Sequence, residues 1–207
     1  MTKVPRGFGH NVFLNCPFDR DYEPLFEAAV FTIQIAGFKP RCALEVSNAG
    51  RARLAKIMDI LSECRFGIHD ISRTELGPGK LPRFNMPLEL GLDLGCSRWG
   101  IKHLAEKRIL ILDRSLRRHH RSASDLEGQG LVHHANNPQQ LVSRIRDWLS
   151  TESAGSSIPG GAYIYKRYRL FRESLPRLSR VMKLSHRQLT FPDYSTIVRV
   201  WLEEYEG

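Results

Sequence analysis

Hydrophobic positions along the chain alternate between short continuous runs and runs with helical spacing. Asn11-Val12-Phe13-Leu14-Asn15 is a buried-strand run closed by Cys16-Pro17-Phe18-Asp19. From Tyr22 to Ala36, Leu25, Phe26, Ala29, Val30 and Ile33 recur with the period of a helix, which Gly37 is placed to stop. Phe38 to Leu44 suits a second strand, Asn48-Ala49-Gly50 a turn, and Ala52 to Cys64 an amphipathic helix carrying Leu54, Ile57, Met58 and Leu61. A third strand, Phe66 to Ile71, leads into a loop, Ser72 to Phe84, holding Gly77-Pro78-Gly79 and Pro82. Pro87 fits the first turn of a helix from Asn85 to about Cys96. Arg108-Ile109-Leu110-Ile111-Leu112-Asp113 reads as a strand covered on both faces, and Leu131 to His134 as a weaker fifth. A helix follows over Gln139 to Leu149 with Leu141, Val142, Ile145 and Trp148 on one side.

Repeated strand–helix alternation predicts an α/β domain: a doubly wound, five-stranded parallel sheet with helices on both faces, over residues 1–150. Ser150 to Gly161 is rich in Ser and Gly, so residues 151–161 are expected to be a linker with few contacts crossing it. Helices around Ala162–Arg180 and Ser195–Tyr205 then form a basic helical extension, residues 162–207. Its apolar residues, among them Tyr168, Phe171, Leu175, Ile197 and Trp201, are too many for a solvated tail. They are expected to pack on the α/β domain or to build a homo-oligomer contact.

Composition adds constraints. At 207 residues with 42% hydrophobic and 26% charged positions, the chain has the make-up of a globular protein and can bury a substantial core. It has no run of about 20 apolar residues and no apolar leader after Met1, so a cytoplasmic location without membrane attachment is expected. Cys16, Cys42, Cys64 and Cys96 are far apart and read as reduced thiols; neither they nor the His119-His120 and His133-His134 pairs predict a metal site. The net charge of +9 concentrates in Arg114 to Arg121 and in Lys166 to Arg187. Such clusters attract phosphates, but a solvated helix face is the plainer reading. Nucleic acid is therefore a weaker partner expectation, because the extension has no RNA-recognition or zinc-finger signature.

In an open parallel sheet, ligands bind beyond the carboxyl ends of the strands. Asn15, Cys16, Pro17 and Phe18 follow the first strand, Glu45 and Ser47 the second, Asp70, Ser72 and Arg73 the third, and Asp113 and Arg114 the fourth. The helix starting at Asn85 points its amino end to the same rim and carries Glu89 one turn in. A carboxylate there is also what the helix dipole favours, so Glu89 could be only a helix-start acid. Its mostly apolar surroundings, Met86-Pro87-Leu88 and Leu90, argue for a semi-buried carboxylate with chemistry to perform. Gly91 and Gly95 weaken the helix and suggest close approach of a backbone or ligand. His69, within a strand, reads as a hydrogen-bonded core histidine, and Cys16 has no visible basic partner to make it a nucleophile.

Asn15-Cys16-Pro17-Phe18, His69-Asp70-Ile71-Ser72 and Pro87-Leu88-Glu89-Leu90-Gly91 together resemble the nucleoside 2-deoxyribosyltransferase family and the related Toll/interleukin-1 receptor (TIR) domains, over roughly Asn11 to Leu149. The resemblance implies a flavodoxin-like strand order of 2-1-3-4-5. It implies Glu89 as the nucleophile at the anomeric carbon and Asp70 as a second catalytic residue binding sugar hydroxyls or a base nitrogen. Asn15, Cys16, Pro17, Phe18, Ser72, Arg73, Arg83 and Asn85 are then the expected substrate-binding residues. The family's Asp-Ser-Gly-Thr-like segment is replaced here by Leu81-Pro82-Arg83-Phe84-Asn85, and Asn15 stands near the place of its assisting tyrosine.

Those departures shift the expected chemistry. An ordinary nucleoside needs a general acid to protonate its departing base. The nicotinamide of NAD does not, because a pyridinium leaves neutral. Arg73 and Arg83 would suit a pyrophosphate, unless they are simply surface-loop arginines. The expected function is an N-glycosidic-bond enzyme acting on a nucleotide, nucleoside or NAD, with no cofactor. The alternative is a non-catalytic nucleotide-sensing or assembly module of TIR-like type.

Overall fold

The computed structural model of the chain describes residues 4–45, 52–73, 84–115, 130–153 and 157–205. Ser47, the Asn48-Ala49-Gly50 turn, Gly77-Pro78-Gly79, Arg83 and the Arg117-to-Arg121 cluster with its two histidines lie outside the described residues. Five strands, β1 (Asn11–Asn15), β2 (Lys39–Arg41), β3 (Phe66–Asp70), β4 (Arg108–Asp113) and β5 (Val132–His133), form one sheet in the order β2-β1-β3-β4-β5. Every adjacent pair is parallel, with Asn15 level with His69 and Asp70 level with Leu112. Among the described residues six α-helices accompany it: α1 (Glu23–Ile35), α2 (Arg53–Ser62), α3 (Asn85–Trp99), α4 (Pro138–Glu152), α5 (Gly161–Val181) and α6 (Phe191–Tyr205). Among the described residues, no helix is long and apolar enough to cross a membrane.

Helix α1 ends where its glycine stands. Gly37 adopts φ +84°, its N–H donates to Gln34, and the Phe38 N–H reaches back to the Ile33 carbonyl, closing the open end of the helix. Strand β2 is shorter than the expected Phe38 to Leu44. The Glu45 carboxylate accepts from the Cys42 N–H (3.0 Å) and pairs with the Arg41 guanidinium (2.7 Å). That removes a ladder donor and turns residues Ala43–Glu45 into a single 3₁₀ turn.

The sheet has two unlike faces. On one, α1 and α4 pack against Val12, Leu14, Phe66, Ile68, Leu110 and Leu112. Helices α5 and α6 then cover the outer side of α1, so Ala28 through Ile33 are all buried. Phe31 lies 5.4–5.8 Å from the rings of Tyr168, Phe171 and Trp201. The Tyr168 and Tyr194 hydroxyls donate to the Pro24 and Glu27 carbonyls of α1, and Gln34 donates to Ser195. On the other face, α2 and α3 close over two small clusters, Phe13 with Ile57, Ile60, Leu61 and Cys64, and Ile71 with Leu90 and Ile111.

The described parts of the segment expected to be a linker with few crossing contacts, residues 151–153 and 157–161, are tied to the domain. Helix α4 runs on to Glu152, Ile158 joins the main core, and Arg146 donates to the Ile158 and Pro159 carbonyls at 2.7 and 2.8 Å. Composition rich in Ser and Gly does not reveal that the carbonyls of Ile158 and Pro159 serve as acceptors for a helix arginine. The extension's inward stripe, Ile164, Tyr168, Phe171, Leu175 and Leu178, is consumed within the chain, so it no longer calls for a second subunit. Most of the cations on α5, including Lys166, Arg169, Arg177 and Arg180, face solvent on the opposite side.

Candidate functional site

Helix α3 brings the central carboxylate to the rim. Its buried stripe is Met86, Glu89, Leu90 and Asp93, the spacing of one helical face. The start of the helix is tied to the end of β1, where the Asn15 amide donates to the Met86 carbonyl at 2.9 Å. Glu89 is 6% exposed, and among the described residues no hydrogen bond or ion pair holds its carboxylate. Burial pushes its pKa up to about 7, against the weaker pull of the Arg53 guanidinium. The glycines flanking it are not packing contacts: a Cβ at Gly91 would meet nothing within 4 Å, and one at Gly95 only the Trp99 ring at 3.5 Å.

Asp70 stands in a different environment. Its carboxylate accepts from the Tyr22 hydroxyl, from the Ser72 N–H at 2.8 Å and from His134 Nε2 at 2.9 Å. Burial works to raise its pKa, but the bonds from His134, Ser72 and Tyr22 outweigh it and hold the group below the ordinary carboxylate value. Asp70 is 1% exposed with both oxygens occupied, so it fixes the β3 end, β5 and the start of α1 rather than offering a free ligand. The Ser72 hydroxyl meets His134 Nε2 as well, at 3.1 Å. Serine and aspartate share one ring nitrogen, which is not the relay a nucleophilic serine needs.

A second buried chain crosses the α2/α3 face. The Asn15 amide meets His69 Nδ1 at 3.0 Å, His69 Nε2 meets Asp93 Oδ2 at 2.9 Å, and Asp93 Oδ1 pairs with Lys107 at 2.9 Å. Lys107 also donates to the Leu61 and Cys64 carbonyls. Desolvation raises Asp93, but His69 and Lys107 overcome it and leave its pKa below the ordinary value. Gly67 makes room for this carboxylate: a Cβ there would lie 2.1 Å from Asp93 Oδ2. His69 is therefore a hydrogen-bonded core residue, as its strand position predicts.

The remaining candidates divide by access. Cys16 is buried, and desolvation together with Asp70, Cys42 and Glu89 pushes its thiol well above the ordinary value, which leaves it no nucleophilic role at neutral pH. Cys16 follows the end of β1 and Asp70 ends β3, and the Asn15–Met86 bond draws the start of the helix that carries Glu89 to the same end of the sheet. Asn15, Pro17 and Ser72 are buried around them. Phe18 is 39% exposed, and Asn85 is exposed at the first position of α3. Arg73 leans back onto Asp19 (3.4 Å) and Asp21 (3.7 Å).

Tyr22, Asp93, Lys107 and His134 escaped the sequence reading. A carboxylate at Asp93, seven residues after Met86 on an apolar stripe, is a signal that could have been used. Nothing local announces Tyr22 or His134, whose partner Asp70 is 48 and 64 residues away.

The fold and rim define an open doubly wound parallel α/β protein with a carboxylate-bearing helix at the carboxyl end of its sheet. No family model, no curated protein and no solved structure matches the chain.

Proposed function

We propose that the chain is an N-glycosidic-bond enzyme acting on a nucleotide, nucleoside or NAD-like substrate, with Glu89 as nucleophile. The observation that carries this reading is the contrast among three buried carboxylates, Asp70 at the end of β3 and Glu89 and Asp93 on α3. Asp70 and Asp93 are held ionised by hydrogen bonds, while Glu89 has no such partner among the described residues and a pKa pushed up to about 7. Groups driven apart in this way divide into supports and a reactive residue.

In the reaction, the ionised Glu89 carboxylate stabilises or bonds the anomeric carbon as the carbon–nitrogen bond breaks, and the base leaves with the bonding pair. Water then attacks the same carbon, restores the carboxylate and releases a proton. With Asp70 engaged by Tyr22, His134 and Ser72, no second carboxylic acid among the described rim residues is free to protonate the departing base. That favours a substrate whose base is already cationic, such as the pyridinium of NAD.

The test is release of free base from NAD and a nucleoside panel, followed chromatographically. Glu89→Gln keeps the shape and removes the charge, so it is expected to lower the rate by at least ~100-fold in a folded protein. Base release undiminished in that variant rejects Glu89 as nucleophile. Tight ligand binding with no base release from the native chain would make it a nucleotide-sensing module instead.

A further inference from the structure

Helix α3 carries its charge on the inside. Before Arg98 its only charged residues are Glu89 and Asp93, and both lie on the buried face. Its outer face is apolar instead. Phe84, at the start of the helix, is 68% exposed, Leu88 51% and Trp99 82%, and Ile101 just beyond is 68% exposed. At about 3.6 residues per turn, Phe84, Leu88, Gly91, Gly95 and Trp99 form one line opposite Met86, Leu90 and Asp93. A solvated helix presents charge on that side, and scattered apolar residues there need no explanation; an uncharged line of them does.

The line is self-complementary. Leu88 stands three residues before Gly91, and Trp99 stands four after Gly95, so the order is large, small, small, large in either direction. Among the described residues nothing fills the space over Gly91, where an added Cβ would meet no atom within 4 Å. Two copies of α3 crossing antiparallel at the glycines bring Trp99 of one protomer onto Leu88 of its partner. A two-fold axis then lets the same patch serve both copies.

Charge selects the same occupant. At +9 the chain repels a second copy wherever their basic surfaces meet. The exposed cations of α5, Lys166, Arg169, Arg177 and Arg180, lie in the layer outside α1, on the other side of the sheet from α3. Pairing through α3 keeps the two basic layers apart. An acidic segment or an anionic lipid surface would be drawn to α5 rather than to a face without charge.

We propose that the chain forms a two-fold dimer through the outer face of α3, with Gly91 and Gly95 at the antiparallel crossing and Leu88 and Trp99 as its anchors. This is not the contact expected of the C-terminal helices, whose apolar stripe is used within the chain.

Sedimentation velocity of the full chain at rising micromolar concentration tests this, and twice the mass of one chain is expected. Leu88→Lys/Trp99→Lys, which charges two exposed positions, is expected to weaken association by ~100-fold or more with the circular dichroism of the folded chain unchanged. Gly91→Leu is the sharper variant. Nothing in the chain obstructs the new side chain, and leucine favours a helix more than glycine does, so the fold is expected to hold while the dimer weakens by ~10-fold or more. Val181→Lys, at an exposed apolar position on α5, is expected to leave association as it was. A native chain that stays monomeric overturns the proposal, whatever else this face then binds. So does a dimer that survives either α3 variant, and a dimer broken by Val181→Lys overturns it by returning the contact to the extension.

Discussion

The two faces of the sheet are built on opposite principles. The α1/α4 face is apolar and thick, because α5 and α6 add a further layer over α1 and join its core. The α2/α3 face is thin and carries the ionic chain from Asn15 through His69 and Asp93 to Lys107, with Glu89 on the same helix as Asp93. Continuous burial provides most of the stability on the first face. On the second, buried charges cost desolvation, and what they return is placement: they fix the helix that carries Glu89.

The largest expected effect breaks the first face outright. Truncation after Ser153 removes the layer over α1 and exposes Phe31, Ala28 and Thr32, so the product should be insoluble or unfolded. A truncated chain that stays soluble and melts cooperatively would show the extension to be an accessory after all.

Next in size, Phe31→Ala should cost ~3–5 kcal/mol in chemical denaturation, since it empties a site shared by three aromatic rings. Lys107→Met tests the second face at comparable scale. Leaving Asp93 with only His69 should cost ~3–5 kcal/mol, and adding Asp93→Asn should recover part of the loss, because the uncompensated charge is then gone. Equal costs for the single and double variants would mean that Lys107 acts by packing alone.

The smallest effect is a gain. Glu89 has its folded-state pKa raised from 4.5 to about 7, so the folded protein binds a proton that the unfolded chain gives up within that window. The group costs nothing below the unfolded value and its full penalty once pH exceeds about 7. Glu89→Gln should therefore stabilise the protein at pH 8 by up to about 2 kcal/mol, after allowing for solvent near the carboxylate, and by almost nothing at pH 4.5. Asp70 and Asp93, with depressed values, have the opposite sign: their stabilisation is present above the ordinary carboxylate range and is lost as pH falls below it. Thermal melts in which native and Glu89→Gln protein differ by the same amount at pH 4.5 and at pH 8 would remove the special status of this carboxylate.

Local patterning was enough for the sheet. Five apolar runs with helices between them admit few arrangements, since parallel strands require crossovers and crossovers are right-handed. The ends of β1 and β4, the glycine stop at Gly37 and the rim position of Glu89 follow from residue type and spacing. The apolar character of α1 all round its axis, with Ala28, Phe31 and Thr32 as buried as Val30 and Ile33, also announced a second covering layer, although the Ser/Gly-rich connection masked it. Tertiary structure alone decided which carboxylates are hydrogen-bonded supports and which has no such partner among the described residues. Asp70, Glu89 and Asp93 are alike as residues, and their difference arises from Tyr22, His134, His69 and Lys107, brought from distant parts of the chain. Periodicity reports which face a side chain occupies, but its ionisation depends on which donors reach it there, and that is settled only when the elements pack.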